Sequence, residues 1–243
     1  LKSNTVTPYK NRLSKKEQVA GMFNHIAPRY DFLNHFLSLG IDRVWRRKVV
    51  KKLKENPPER MLDVACGTGD LAIATAKRIP DIKIDAVDIA AVMLERAGAK
   101  IDRRNLGFNV HLNIGDAEDL QFPDERFNAV TSAFGVRNFE DLEKGLSEMY
   151  RVLKKDGSII ILEFSQPRKG LFAMLFKLYF NAILPFIGRV FSGNNRAYAY
   201  LPESVNAFPE RENFVKLLEQ SGFKNSYFKT FTFGVACMYY GKK

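Results

Sequence analysis

Residues 61–78, "MLDVACGTGDLAIATAKR", decide how the rest of the chain reads. An apolar run of strand length meets Gly67-Thr68-Gly69, and a helical pattern follows from Asp70. A strand that passes through glycines into a helix leaves backbone N–H groups at the helix N-terminus for a ligand to reach. Glycine supplies the unusual dihedrals and lets a ligand approach the backbone. A nucleotide over Gly67, Thr68 and Gly69 is the reading these residues favour; the bland alternative is a tight turn.

The alternation continues downstream. "KIDAVDI" (83–89), "FNVHLNIGD" (108–116), "FNAVTSAF" (127–134) and "SIIILEF" (158–164) read as strands. "AVMLERAGAKID" (91–102) and "EDLEKGLSEMYRVLK" (140–154) read as the helices between them. Repeated β-α-β units imply a mainly parallel sheet with helices on both faces. A long interruption spans about 166–209, then "RENFVKLLEQSG" (211–222) predicts a helix. "SYFKTFTFGVACMYYGK" (226–242) predicts a hairpin around Gly234 and so an antiparallel edge.

Upstream the pattern is helical. Ser14 and Glu17 form a capping box. The helix they open is expected to stop near Ala27, because Pro28 disfavours helical backbone before it. A short helix over "YDFLNHFLSLG" (30–40) is expected to end at Gly40, and Asp42 to cap the next one. In that helix Trp45, Val49 and Leu53 share one face.

Net charge is +11, and residues 1–60 hold 14 of the 38 Lys+Arg against 5 of the 27 Asp+Glu. The basic character therefore belongs to the N-terminal region, for which nucleic acid, an anionic membrane or an acidic partner are the candidate partners. Two distant cysteines, Cys66 and Cys237, suggest no disulfide framework and fit a reducing cytoplasm. Three histidines show no metal-ligand spacing, so no metal is expected. The first residues lack an apolar signal core, and no run of about 20 apolar residues predicts a membrane span.

Gly67-x-Gly69-x-x-Ala72 matches a dinucleotide fingerprint, and Asp88, 19 residues after Gly69, can accept from ribose hydroxyls. NAD and S-adenosylmethionine share that ribose. Three features favour the second: Asp63 inside the first strand, able to face an ammonium group; Asp116-Ala117 after the third strand, able to meet an adenine amine; and the terminal antiparallel hairpin. Together they resemble the class I S-adenosylmethionine-dependent methyltransferases.

"YDFLNHFLSLGIDRVW" (30–45), "FGVRNF" (134–139) and "RVLKKDGSIIILEFS" (151–165) narrow this. The chain resembles the ubiquinone/menaquinone biosynthesis C-methyltransferases over nearly its full length. That resemblance implies a Rossmann-like α/β fold with a mainly parallel seven-stranded sheet. Residues 1–59 are then a helical lid or membrane-facing region, and 60–243 the cofactor-binding domain with its insertion. It implies S-adenosylmethionine as cofactor and methyl transfer to a ring carbon of a polyprenylated quinol, with demethylmenaquinol favoured over a ubiquinol precursor. Asp63, Gly67, Thr68, Gly69, Asp88, Asp116 and Ala117 are the expected cofactor residues. Arg137 and Asn138 are the expected catalytic pair, with Arg137 stabilising a phenolate or holding a water. Tyr30, Asp31 and Asn34 are expected to form a lid, and His25 is a weaker candidate base. The sequence departs from the family pattern at Leu33, Asp42, Ala65 and Ala133, and at Lys155-Asp156, where Pro-Gly is common. Ala65 replaces a frequent glycine, and Asp42 a frequent histidine.

"GLFAMLFKLYFNAILPFIGRVFSG" (170–193) is too short to span a bilayer before Pro185. It reads as the lining of a prenyl channel, a membrane-interface helix or a core helix. "NNRAYAYLPESVNAFP" (194–209) is expected to be a loop serving the substrate head. The expected setting is cytoplasmic, with peripheral attachment to an anionic membrane; a homo-oligomer is compatible with the sequence, and nucleic acid is not expected as a partner. An RNA methyltransferase and a non-catalytic cofactor-binding protein are the rival readings.

Overall fold

In the computed structural model, residues 6–9, 11–180 and 195–243 are described, without the side chains at 33, 34, 36, 37, 195 and 198. Seven strands form one sheet: β1 (Arg60–Val64), β2 (Lys83–Asp88), β3 (Val110–Ile114), β4 (Phe127–Ala133), β5 (Leu153–Phe164), β6 (Lys224–Phe231) and β7 (Ala236–Lys242). Their order is β3-β2-β1-β4-β5-β7-β6. β1 to β5 pair in parallel, and β7 runs antiparallel between β5 and β6. The order reverses between β1 and β4, and a crevice for ligands opens at the carboxyl ends of strands at such a point. The loops after β1 and β4 meet there.

The helices are α1 (Lys15–Leu37), α2 (Ile41–Leu53), α3 (Asp70–Ala76), α4 (Ala91–Asp102), α5 (Leu142–Val152), α6 (Gly170–Leu178), α7 (Asn195–Ala207) and α8 (Glu212–Gln220). The central strands are apolar on both faces because both faces are covered. One core joins Trp45, Val49 and Leu53 of α2 to α3, α4 and the sheet. The other joins α5 and α8 to the opposite face, around Phe127, Phe214 and Tyr239. A third cluster lies beyond the sheet, where Val19, Met22 and Ile26 of α1 meet Phe180, Ala197 and Tyr200.

Three local expectations change. The capping box forms, with Ser14 N donating to Glu17 at 2.8 Å, but α1 continues through Pro28 to Leu37. Burial of Met22, Ile26 and Ala27 before the proline, and an anchor at Asp31 after it, outweigh the hydrogen bond that proline removes. Asp42 does not cap α2: Gly40 precedes that helix at φ +74°, and Asp42 turns inward to Arg46, His35 and Ser38. The stretch expected as a loop contains α7, which includes Pro202. Two departures from the family pattern are also explained: Ala65 and Asp156 both have positive φ, +53° and +62°, where glycine carries no steric cost.

Candidate functional site: two adjoining cavities at the strand switch

Gly67 and Gly69 both occupy the left-handed region, at φ +55° and +75°. A Cβ on Gly67 would meet nothing within 4 Å, whereas one on Gly69 would meet Ala97 Cβ at 3.2 Å. Gly67 thus faces the open crevice and Gly69 lets α4 approach the loop. Asp88 fixes this turn: one carboxylate oxygen accepts from Gly67 N at 2.7 Å and the other from Ala90 N at 2.8 Å. Each oxygen keeps a further lone pair. Burial pushes the Asp88 carboxyl up, and these backbone donors oppose it.

Asp63 is buried below the loop. One oxygen accepts from the Thr131 hydroxyl at 2.8 Å; the other has no partner. Burial raises its pKa to about 7, against the pull of the Thr131 hydrogen bond and the Arg46 charge. Both Asp63 and Asp88 line a solvent-open cavity with Gly67, Thr68, Asp116, Ala117, Ala133 and Asn138. An unpaired buried carboxylate oxygen beside an open glycine turn fits a ligand with an ammonium group and ribose hydroxyls. Of the expected cofactor residues, Asp63, Gly67, Thr68, Asp88, Asp116 and Ala117 line this one cavity; Gly69 does not, and packs against Ala97 behind the loop instead.

α1 crosses the mouth of this cavity and is anchored at both ends. At its start, Lys15 Nζ donates to the Phe139 carbonyl at 2.6 Å and Lys16 pairs with Asp116 at 2.8 Å. Near its end, Asp31 accepts from the Thr68 hydroxyl at 2.5 Å and from Lys100 Nζ at 2.8 Å. Lys100, on α4, also reaches Thr68 at 3.0 Å and Asp70 at 2.5 Å. The network continues through His35 between Asp70 and Asp42, to Arg46. His35, Asp42 and Asp70 have metal-compatible spacing, but carboxylate oxygens of both acids already accept from Lys100, Arg46 and Ser38. Tyr30 lines the cavity. The Asn34 side chain lies outside the described residues. His25 is exposed and lines neither cavity, which removes it as a base.

Arg137 and Asn138 form a 3-10 turn after β4. The Arg137 guanidinium bonds the Phe134 carbonyl and pairs with Glu163 of β5 at 2.7 Å. Asn138 faces the first cavity, with its side-chain oxygen unpartnered. Arg137 faces a second, larger cavity, of about 640 Å³, walled chiefly by apolar side chains including Trp45, Phe164, Phe176 and Tyr200. Phe23, Tyr30, Arg46 and Phe134 line both. A chamber lined with carboxylates and a greasy chamber therefore share one wall, with Asn138 of the Arg137-Asn138 turn on the first and Arg137 on the second. Sequence reasoning missed Lys100, Glu163 and Arg46. Lys100 and Glu163 act through partners distant in sequence; Arg46 pairs with Asp42 one helical turn away, a spacing visible in the sequence.

Residues 11–243 match the ubiE/COQ5 methyltransferase family. The demethylmenaquinone methyltransferase of Bacteroides fragilis is 42% identical over 238 residues, covering 98% of this chain and 97% of that protein. The Thermus thermophilus protein of the same name is 47% identical over 222 residues, covering 91% of this chain and 100% of its own. A ubiquinone/menaquinone biosynthesis C-methyltransferase of Geotalea daltonii is 46% identical over 230 residues, covering 94% and 97%. Among solved structures, a putative S-adenosylmethionine-dependent methyltransferase of Methanococcus maripaludis superposes with a TM-score of 0.62 at 20% identity, covering 97% and 96% of the two chains. A possible histamine N-methyltransferase of Thermotoga maritima gives 0.60 at 22% identity, covering 92% and 99%. These two show the fold. By its sequence over nearly the whole length, the chain belongs to the ubiE/COQ5 methyltransferase family.

Proposed function

We propose that this enzyme methylates a ring carbon of a polyprenylated quinol, demethylmenaquinol in particular, with S-adenosylmethionine as methyl donor. The observation that carries the reading is the pair of cavities, one carboxylate-lined over the glycine turn and one almost wholly apolar, meeting at Arg137-Asn138. The names of the relatives favour the menaquinone substrate.

When bound, S-adenosylmethionine supplies a methyl group activated on a sulfonium. The residues that would hold it are Asp63 for an ammonium group, Gly67 and Thr68 for the turn, Asp88 for ribose hydroxyls, and Asp116-Ala117 for the base. Ring-carbon nucleophilicity rises as the neighbouring hydroxyl loses its proton. Arg137 stays protonated, so its role is to stabilise the developing phenolate or to hold a water that accepts the proton. Glu163 keeps its guanidinium in place. Phe134, Tyr30 and Phe23 exclude water from the junction, and α1 closes over it.

The same reading places the protein at a membrane surface, since its acceptor lives there. Exposed Arg43, Arg47, Lys48 and Lys51 lie along α2. Leu39, Leu171, Phe172, Met174, Leu175 and Phe233 are large exposed apolar residues, and Leu39, Phe172 and Leu175 also line the apolar cavity. Its mouth thus opens within a greasy surface. Phe176, on the same helix as Phe172, turns inward to stack on Phe180 at 5.2 Å. The part of the insertion at 181–193 lies outside the described residues. The test is transfer of labelled methyl from the cofactor to a panel of reduced quinones and RNAs; label is expected in the quinone fraction alone.

A further inference from the structure

Tyr200, on α7, lines the apolar cavity together with Trp45, Phe134, Arg137 and Phe164. It is 2% exposed. Its hydroxyl is buried with no hydrogen-bond partner. A buried tyrosine hydroxyl ordinarily finds one, because the hydration it gives up must be replaced. It belongs to the apolar cluster beyond the sheet, with Met22, Phe180 and Ala197.

Among the described residues, Arg137 carries a second unpartnered polar atom on this cavity, its buried Nε. α7 packs against the 3-10 turn that carries Arg137, and the charges of Arg137 and of Glu163 behind it both act on the Tyr200 hydroxyl. Burial pushes the phenol up to about 12. It is therefore neutral near pH 7 and has a proton to donate. A prenyl tail offers no acceptor to such a donor; the oxygens on the ring are the only acceptors that this substrate class carries.

We propose that Tyr200 is a further substrate-binding residue, whose hydroxyl donates a hydrogen bond to a ring oxygen of the methyl acceptor and so sets which ring carbon faces the cofactor chamber. This rests on the reading of the apolar cavity as the acceptor site. Arg137 meets charge that develops during the reaction, whereas Tyr200 recognises an oxygen already present, so ring systems without oxygen lose the contact.

The test uses Tyr200→Phe and two bicyclic probes, 1-naphthol and naphthalene. The variant should lose at least tenfold in kcat/KM for the reduced quinone. Its affinity for S-adenosylhomocysteine should stay within twofold, and its thermal midpoint should be unchanged or higher, since an unpaired buried hydroxyl is gone. In calorimetry the wild type should prefer 1-naphthol over naphthalene at least tenfold, and Tyr200→Phe should reduce that preference below threefold. A kcat/KM within twofold of wild type, or a preference that the variant leaves unchanged, overturns the role of Tyr200 alone. Failure of both probes to bind the wild type overturns the acceptor-cavity reading and this inference with it.

Discussion

The Arg137 guanidinium lies 2.7 Å from the carboxylate of Glu163, and that carboxylate is fully buried. Burial drives the Glu163 carboxyl up and Arg137 pulls it back. Arg137→Ala should therefore lower turnover by at least 100-fold, leave cofactor affinity within about threefold, and destabilise the fold by about 3–5 kcal/mol, the cost of an uncompensated buried charge. In the variant the folded chain binds more protons than the unfolded one. Its stability should fall as pH rises from the ordinary glutamate range through the raised value. Urea titrations at several pH values check this; an Arg137→Ala protein with wild-type stability and turnover would make the pair dispensable.

Asp63 gives a second pH effect. Its pKa of about 7 lies above the ordinary carboxyl value of 3.8. Stability from this group is fully present below about 4 and is lost as pH rises through about 7. A ligand ammonium favours the ionised form, so binding should release a proton, and affinity for S-adenosylhomocysteine should rise up to about tenfold between pH 6 and 8. Calorimetry in buffers of different ionisation enthalpy measures the proton directly. Asp63→Asn should remove both the stability slope and the proton; a flat affinity profile in wild type would detach Asp63 from the ligand.

Lys100 holds α1, the glycine loop and α3 together through Asp31, Thr68 and Asp70. Lys100→Met should cost about 2 kcal/mol, the scale of hydrogen bonds to charged groups, and should speed amide exchange along α1 at least tenfold, with the sheet unaffected. Lys100→Arg should recover part of both. Exchange along α1 within twofold of wild type in a folded Lys100→Met would show that the helix is held elsewhere.

The order of strands and helices over residues 60–164 was readable because hydrophobic period and glycine punctuation are local, although β5 begins at Leu153, where a helix to Lys154 and a strand from Ser158 were expected. Met61-to-Arg78 and Ala91-to-Asp102 needed no distant information. The extension of α1 past Pro28 and the formation of α7 around Pro202 were not readable, since apolar packing among Met22, Ile26, Phe180 and Tyr200 comes from segments far apart in sequence. The site divides in the same way. Gly67 and Asp88 declare themselves by spacing, whereas the partners that hold Asp31 and Arg137 appear only when α4 and β5 are brought alongside.

Membrane attachment should show both charge and insertion. Each basic residue near an anionic surface contributes about 1 kcal/mol, screened within a Debye length. Co-sedimentation with anionic liposomes should be strong at low salt and retain a remainder at high salt through Leu39, Phe172, Leu175 and Phe233. Phe233→Asp with Leu175→Asp should remove the remainder only. No sedimentation at low salt would end the membrane proposal.

The central claim is carbon methylation of a prenylated quinol ring, and product mass spectrometry tests it most directly. The purified protein is incubated with S-adenosylmethionine and, separately, reduced demethylmenaquinone, a reduced methoxy-polyprenyl-benzoquinone and RNA. The account predicts a gain of one CH2 located in the ring fragment of the menaquinone precursor. A gain confined to RNA or to an oxygen, or no gain on any quinol while S-adenosylmethionine binds, would contradict it.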